Sequence, residues 1–193
     1  MEAALLDLLR IKRGHFQFES GHHGNLWLDL DSLFLRPRLL LPFAQELARR
    51  LSPYRIEAVV GPLVGGALVA QMVAAEIGTA FAFAERTTDA KAVRYRIPDA
   101  LRHGLDGKRV AIVDDAINAG SATRATHAEL SSYGAHPVAI GSLLLLGTAA
   151  LPFFEEKRLP VERIAALPND LWEPAHCPLC AAGQPINNPL AVS

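Results

Sequence analysis

The spacing of apolar residues changes along the chain, and each change predicts a different element. Residues 1–13 place their leucines on one side of a helical repeat, which predicts an amphipathic helix. Apolar and polar residues alternate over 16–18 and 26–30, as in two short strands joined by a turn at 20–25. A second helix is predicted over 37–51, because its first residue is a proline, which suits the first turn of a helix.

Beyond residue 55, apolar runs alternate with helical segments. The runs at 56–60, 81–84, 110–113 and 138–146 have the composition of buried strands, and helical patterns follow the first and the third of them. Strands that alternate with helices are typical of an α/β fold. We therefore predict a parallel sheet flanked by helices.

Two segments do not fit this core. Residues 85–108 are polar, rich in basic side chains and inserted between two predicted core strands, which indicates a long excursion or flap. Residues 168–193 contain five prolines and both cysteines and show little periodicity. The sequence thus predicts one domain over 1–167, followed by an irregular tail.

The composition narrows the classes of function. The 193 residues carry a formal net charge of −1 and only 7% aromatic residues, so we expect no nucleic-acid partner. Proline, glycine, glutamine and glutamate interrupt the most apolar stretch, 58–77, and residues 1–16 lack the charge order of a secretory signal. We expect a cytoplasmic protein with no membrane segment.

Residues 109–124 carry the clearest candidate chemistry. An apolar strand ends in Asp114 and Asp115, and a run of small residues leads into a helix near Ala122. Small residues and a helix N-terminus suit a phosphate, whereas adjacent carboxylates suit sugar hydroxyls or a divalent cation. The loop lacks the Gly-Lys-Ser/Thr of a Walker A site and the GxGxxG of a dinucleotide site. An ordinary strand–turn–helix junction with solvated acids is the alternative.

This stretch resembles the 5-phosphoribosyl-1-pyrophosphate loop of the type I phosphoribosyltransferases. The resemblance implies that Asp114 and Asp115 bind the ribose hydroxyls and act in catalysis. It places the 5′-phosphate against Asn118, Ala119, Gly120, Ser121, Ala122 and Thr123. Asn118, which stands where threonine is usual, is also a candidate contact for the base.

A second loop, at 59–66, resembles the segment that holds the pyrophosphate in this family, with Leu63, Val64 and Gly65 as the implied contacts. In the orotate branch a lysine usually stands at the position of Gly65. Glycines here permit close approach of a ligand to the backbone. Packing of a glycine-rich helix start against the sheet is the alternative reading.

Residues 16–29 resemble the N-terminal hood motif of the orotate phosphoribosyltransferases, which divides the domain into a small hood over 1–35 and a core over 36–167. Trp27 is the candidate for stacking on the base, although a single tryptophan on a short strand also suits a core. Glu19 stands where the orotate branch commonly has lysine. The resemblance is therefore partial at this motif.

The flap at 85–108 gives a weaker match. Arg86 aligns with a catalytic arginine of the orotate branch, Thr87 replaces its lysine, and Lys91 is a further candidate for catalytic positive charge. A solvated basic loop is the alternative. Gly147 and Thr148 follow the strand where an arginine usually grips the orotate carboxylate, which puts orotate in doubt, since a buried carboxylate needs a partner.

The resemblance implies transfer of the phosphoribosyl group to a nucleobase. Orotate is the expected base, which would give orotidine 5′-phosphate and pyrophosphate, with Mg²⁺ bound through the substrate rather than by protein ligands. The resemblance also implies a homodimer, because relatives share flap residues across a two-fold interface. A different base, or a protein that binds the sugar phosphate or a nucleotide without catalysis, are the alternatives.

Cys177 and Cys180 have the spacing of a metal-binding or redox pair. One such pair offers two ligands, whereas structural zinc takes four. His22, His23, His176 or a second subunit are candidates for the remaining ligands. Reduced thiols, a zinc site and a redox couple all stay open.

Overall fold

The computed structural model describes residues 1–18, 20–89 and 92–188. Its strands are β1 Arg10–Gln17, β2 His23–Asp29, β3 Ala58–Pro62, β4 Ala80–Asp89, β5 Ala92–Arg96, β6 Arg109–Ile117, β7 His136–Leu146, β8 Val161–Leu167 and β9 Leu171–Trp172. Its α-helices are α1 Glu2–Leu6, α2 Asp31–Phe34, α3 Pro37–Leu51, α4 Gly65–Ile77, α5 Asp99–Arg102, α6 Ser121–Ser132, α7 Leu151–Glu156 and α8 Pro178–Ala181. Short 3₁₀ turns lie at 52–54 and 174–176.

A six-stranded sheet in the order β5-β4-β3-β6-β7-β8 forms the core. All neighbouring strands in it are parallel except β4 and β5. This confirms the predicted α/β class with a parallel sheet flanked by helices. The central strands are largely apolar because helices cover both of their faces.

Alternate residues of each strand feed two apolar layers. Val59 packs with α3 and α4 on one side of the sheet. Its neighbour Val60 packs on the other side, together with Leu130 of α6 and Phe154 of α7. The sheet therefore holds its carboxyl edge rigidly between two layers of helices, and ligands in such folds bind at that edge.

The hood is a separate three-stranded sheet in the order β1-β2-β9. The predicted helix over 1–13 is wrong in its second half, since α1 ends at Leu6 and β1 begins at Arg10. Antiparallel pairing explains the difference, because residues 10–13 pair with 26–29 of β2. Long-range pairing outweighed the local helical spacing of the leucines.

The segment 85–108 is a hairpin followed by an anchored return, not an extended loop. β4 and β5 pair from Glu85 with Arg96 onward, which extends the sheet beyond its core. The return is fixed by Ile97, which is buried and whose amide donates to Glu129 Oε1 (3.2 Å). Arg102 Nη2 lies 2.9 Å from the same carboxylate. The projecting part is therefore the hairpin itself.

The described part of the tail, residues 168–188, is more ordered than the sequence predicted. β9 pairs with β2 through His23 with Trp172 and Gly24 with Leu171. The Asn187 amide donates to the His15 carbonyl (2.6 Å). These contacts dock the segment after residue 168 onto the hood. Within the described ranges, every helix is too short or too polar to cross a lipid bilayer.

Candidate functional site

A cleft of about 670 Å³ lies at the carboxyl ends of β3 and β6. The hood contributes one wall and the core contributes the other. The cleft brings together the hood motif, the 62–66 loop and the 114–123 loop, which are far apart in sequence. All the site residues predicted on these three segments line it: Trp27, Leu63, Val64, Gly65, Asp114, Asp115, Asn118, Ala119, Gly120, Ser121, Ala122 and Thr123.

The two acids lie in the second half of strand β6, at the floor of the cleft, and the strand continues past them to Ile117, further than the sequence predicted. Asp114 is 7% exposed; its Oδ1 accepts the Asp115 amide at 3.0 Å and its Oδ2 accepts the Thr123 hydroxyl at 3.4 Å. Asp115 Oδ1 accepts the Ala116 amide at 2.9 Å. No ion pair in the described part of the chain involves either acid. Both carboxylates are thus held by neutral donors.

Burial raises the pKa of both carboxyls, most strongly that of Asp114, to which the neighbouring charge of Asp115 adds. A buried acid beside a half-buried one, with no basic partner among the described residues, is unfavourable for the free protein. A ligand that donates hydrogen bonds, or a cation, would relieve that cost. The acids are therefore arranged for something that enters the cleft.

The two predicted loops touch each other at the acids. A Cβ atom on Gly65 would collide with Asp115 Oδ2, and one on Gly66 would collide with Asp114 Oδ1. Only glycine allows the start of α4 to lie this close to the carboxylates. Gly65 therefore has a steric reason that the sequence did not reveal, and the lysine usual at this position in the orotate branch does not fit here without displacing Asp115.

The 118–123 loop presents backbone donors. Gly120 adopts φ +75°, the left-handed region that glycine tolerates, and α6 begins at the next residue. Among the described residues, no backbone carbonyl pairs with the amides of 119–123, and the first turn of α4 at 64–67 is likewise unpaired. Two helix N-termini thus offer free N–H groups to the same cleft, an arrangement suited to phosphate groups.

Contacts from behind hold the loop in place. The Arg124 guanidinium donates through Nη2 to the Ala119 carbonyl and lies over the Phe153 ring at 5.6 Å. Asn169 Nδ2 donates to Asn118 Oδ1 at 2.9 Å. The Asn118 side chain and the Thr123 hydroxyl are therefore engaged within the protein. Ser121, which is exposed, keeps its hydroxyl available to a ligand.

The hood wall is aromatic and basic. Trp27 is half-buried and stacks on Phe18, with ring centroids 6.1 Å apart and an angle of 5°. Arg10 and Lys12 of β1 line the same cleft, and Lys12 pairs with Trp27 across the hood strands. The sequence pattern does not point to these two cations, because it favours a helix over 1–13. Their alternation with Ile11 was the available signal of a strand.

Of the two predicted flap residues, Arg86 is not brought into the cleft. Arg86 is exposed on the outer part of β4 and is not among the residues that line the cleft. Its cross-strand partner Tyr95 does line it, although Tyr95 was not predicted. Lys91 lies outside the described residues. The roles given to Arg86 and Lys91 therefore stay predictions.

Comparisons with known proteins agree with this geometry. The family model described as the phosphoribosyl transferase domain matches residues 41–156. The orotate phosphoribosyltransferase of Caldanaerobacter subterraneus subsp. tengcongensis is 31% identical over 182 residues, which cover 93% of this chain and 90% of the relative. The enzyme of the same name from Thermotoga maritima is 30% identical over 182 residues, with coverages of 93% and 91%.

Solved structures share the fold at low identity. APRTase from Giardia lamblia has a TM-score of 0.69 at 16% identity, and the match covers 86% of this chain and 98% of that one. The orotate phosphoribosyltransferase of Aeropyrum pernix has 0.61 at 21%, with coverages of 81% and 87%. Leishmania donovani UMP synthase has 0.66 at 23% and covers 86% of this chain, which spans only 35% of that longer one. With the fold, the cleft and the matched domain in agreement, the chain belongs to the phosphoribosyltransferase family.

Proposed function

We propose that this protein transfers the phosphoribosyl group of 5-phosphoribosyl-1-pyrophosphate to orotate, releasing pyrophosphate and giving orotidine 5′-phosphate. One observation carries the proposal: two helix N-termini with unpaired amides and two adjacent acids, Asp114 buried and Asp115 half-buried, meet in a single cleft. The two relatives named above, which are orotate phosphoribosyltransferases, match nearly the whole chain. Both loops of the cleft belong to that matched length.

Each part of the cleft has a distinct role in the proposed reaction. The amides of 119–123 and the Ser121 hydroxyl bind the 5′-phosphate, and the amides of 64–67 bind the pyrophosphate. Asp114 and Asp115 accept hydrogen bonds from the ribose hydroxyls and provide negative potential beside the oxocarbenium-like sugar. Trp27 supports the planar base by stacking.

We assign Mg²⁺ as the ion that accompanies the sugar pyrophosphate. Asp114 and Asp115 offer only oxygen ligands and have no basic partner among the described residues, which fits a hard cation held mainly by substrate oxygens. Bound in this way, the ion would neutralise charge on the leaving pyrophosphate. The acids themselves orient the ribose from the protein side.

In this proposal, Arg10 and Lys12 supply part of the positive charge that enzymes of the orotate branch carry at other positions. The orotate branch usually carries lysines at the positions of Glu19, Gly65 and Thr87, and an arginine after the position of Leu146. This chain lacks all four. The two β1 cations line the hood wall beside Trp27, where a planar carboxylate-bearing base would lie. Reversing the charge of either one should therefore weaken orotate binding more than sugar-phosphate binding.

The hairpin of 85–108 acts, in this proposal, as a flap over a neighbouring subunit of a homodimer. Arg86 is exposed on β4 and lies outside the cleft of its own chain. Arg86 and Lys91 would then supply charge to the partner's leaving group, and closure would exclude water. The hood over 1–35, the core over 36–167 and the tail after 168 complete the proposed domain plan.

Mixed dimers test this sharing directly. An Arg86→Ala chain and an Asp114→Asn/Asp115→Asn chain are each expected to be inactive alone. Mixing them after reversible dissociation should recover about a quarter of the wild-type activity per chain, because half of the dimers are mixed and hold one intact site. Recovery that stays at zero while mixed dimers are detected by mass spectrometry would refute sharing across the interface.

The activity is tested in two steps. Calorimetric titration with the sugar pyrophosphate, with and without Mg²⁺, should show saturable binding that the Asp114→Asn/Asp115→Asn variant loses while keeping its circular dichroism spectrum. A panel of bases is then assayed for pyrophosphate release, with orotate expected to react best. Release with another base would reassign the substrate, and binding without release would make the protein a sensor of the sugar phosphate. If no binding is seen, the assignment of the cleft as a phosphoribosyl site would be wrong.

A further inference from the structure

A second cluster of reactive side chains lies outside the cleft, between the hood and the tail. His15 of β1 and His23 of β2 meet Cys177 and Cys180, with all four potential ligand atoms within 4.8 Å of one another. His15, His23 and Cys177 are buried, at 1%, 5% and 3% exposure, whereas Cys180 is exposed. The hood contributes the nitrogens and the tail contributes the sulfurs.

The spacing within the cluster matches a tetrahedron around one ion. His15 Nε2 lies 3.5 Å from Cys177 Sγ, 3.7 Å from Cys180 Sγ and 3.0 Å from His23 Nδ1, and Cys180 Sγ lies 3.2 Å from His23 Nδ1. Bonds of about 2.3 Å to sulfur and about 2.0–2.1 Å to nitrogen separate neighbouring ligands of a tetrahedral zinc by about 3.3–3.8 Å. Four of the six ligand pairs are thus within a few tenths of an ångström of these separations, and all six lie within 4.8 Å.

The tautomer of His15 favours a metal over ordinary hydrogen bonds. His15 Nδ1 lies 2.8 Å from the Gln184 carbonyl oxygen, which can only accept, so the proton of a neutral ring sits on Nδ1. The lone pair of Nε2 then points at the two sulfurs and at His23. A ligating histidine whose other nitrogen donates to a backbone carbonyl is the usual arrangement around protein-bound zinc.

We propose that His15, His23, Cys177 and Cys180 bind one structural Zn²⁺ that fastens the tail to the hood. Two thiolates and two imidazoles in a closed tetrahedral set select zinc among the common divalent ions. His22 and His176, the other candidates from the sequence, are not in the cluster. His176 Nδ1 instead lies 3.6 Å from Glu173 Oε2 on the surface.

The ion would tie together segments that are weakly connected otherwise. β9 contributes only two residue pairs to the hood sheet, and the remaining contacts of the tail with β1 centre on Asn187 and Gln184. Asn169, at the start of the tail, holds Asn118 in the phosphate loop. Zinc in this position therefore stabilises the hood and, through it, the outer wall of the cleft.

The first test is the metal content of the full-length protein, purified under reducing conditions without a chelator. We expect about one zinc per chain and, after exchange for Co²⁺, the visible absorption bands of a tetrahedral ion with thiolate ligands. Competition with a chromophoric chelator should show zinc held about tenfold or more tightly in the wild type than in Cys180→Ser. Cys180 is exposed, so this variant should fold.

The matched control is His176→Ala, which removes an exposed imidazole next to Cys177 without touching the cluster. It should keep zinc and the Co²⁺ spectrum, whereas His15→Ala and Cys180→Ser should hold zinc more weakly and lose the Co²⁺ spectrum of the wild type. Zinc removal from the wild type should lower the melting temperature by about 5–10 °C and raise hydrogen exchange in 171–187 and 10–17, but not in β6. Reduced protein that takes up neither zinc nor Co²⁺, or a Cys177–Cys180 disulfide in freshly prepared protein, would overturn the proposal.

Discussion

Replacing Asp114 by asparagine should make the ligand-free protein more stable and make it a poorer binder. Asp114 is 7% exposed and accepts hydrogen bonds from the Asp115 amide and the Thr123 hydroxyl. Asparagine keeps the size of the side chain and one acceptor oxygen, and it removes the charge. Because burial raises the pKa of the Asp114 carboxyl, the ionised form costs free energy in the folded state.

The sign of the pH dependence follows from that direction. The folded protein holds the Asp114 proton to a higher pH than the unfolded chain, whose aspartates titrate near about 3.9. The stability of the wild type therefore falls as the pH rises from about 4 through the raised pKa. The advantage of Asp114→Asn should be small at pH 4.5 and fully present once the wild-type carboxyl is ionised.

The size of the effect is set by opposing contributions. A buried charge costs several kcal/mol, and each hydrogen bond to a charged acceptor returns roughly 1.5–3 kcal/mol. We expect a net gain of about 1–2 kcal/mol at pH 8, which is about 2–8 °C in melting temperature for a domain of this size. The loss of a charged acceptor for a ribose hydroxyl should weaken sugar-pyrophosphate binding about 10–100-fold.

Thermal and urea unfolding at pH 4.5 and pH 8 measure the stability, and calorimetric titration at pH 8 measures sugar-pyrophosphate binding. Asp106→Asn, an exposed aspartate outside the cleft, controls for the general effect of losing one negative charge. The reasoning fails if Asp114→Asn is no more stable than the wild type at pH 8. It fails equally if the variant gains the same stability at both pH values, or if its binding is unchanged.

Three further changes test separate parts of the cleft. Arg124→Met removes the donor to the Ala119 carbonyl and should weaken sugar-pyrophosphate binding about tenfold by calorimetry. Arg124→Lys should partly restore the affinity, and an unchanged affinity in Arg124→Met would show that Arg124 does not support the phosphate loop. Gly65→Lys should lower activity rather than raise it, because its Cβ collides with Asp115, and faster turnover would contradict this. Trp27→Leu should raise the KM for the base about tenfold or more and leave sugar-pyrophosphate binding intact, whereas an equal loss of both would indicate a purely structural tryptophan.

The central sheet and its two loops could be predicted from the sequence because their causes are local. A strand covered on both faces is continuously apolar, as over Val110–Val113. The acids that follow mark the cleft, although β6 itself continues to Ile117. The cradle of small residues follows within the same stretch. The helix over 37–51 was confirmed for the same reason, since proline at its start and its apolar face lie within one segment.

The parts that the sequence did not reveal depend on contacts between distant segments. Residues 10–13 have leucine neighbours that favour a helix, and only pairing with 26–29 makes them a strand. Arg10 and Lys12 reach the cleft as a result. The cluster of His15 with Cys177 joins residues 162 apart, and nothing in the spacing of the cysteines indicates which histidines complete it. β8, an edge strand whose two fully buried residues, Ile164 and Ala165, are neighbours rather than alternating, also carried no strong local signal.

Gly65 shows how the absence of a lysine can be misjudged from the sequence alone. Compared with the orotate branch, the position lacks a lysine, which from the sequence indicates lost positive charge. In the structure the space for any side chain at 65 is occupied by the Asp115 carboxylate, while Arg10 and Lys12 bring positive charge to the cleft from the hood. A cation on the hood moves with the hood, whereas a lysine at the start of α4 would be fixed to the core. Neutralisation of the substrate should therefore depend on the position of the hood, so that zinc removal, by loosening the tail, should weaken orotate binding more than sugar-phosphate binding.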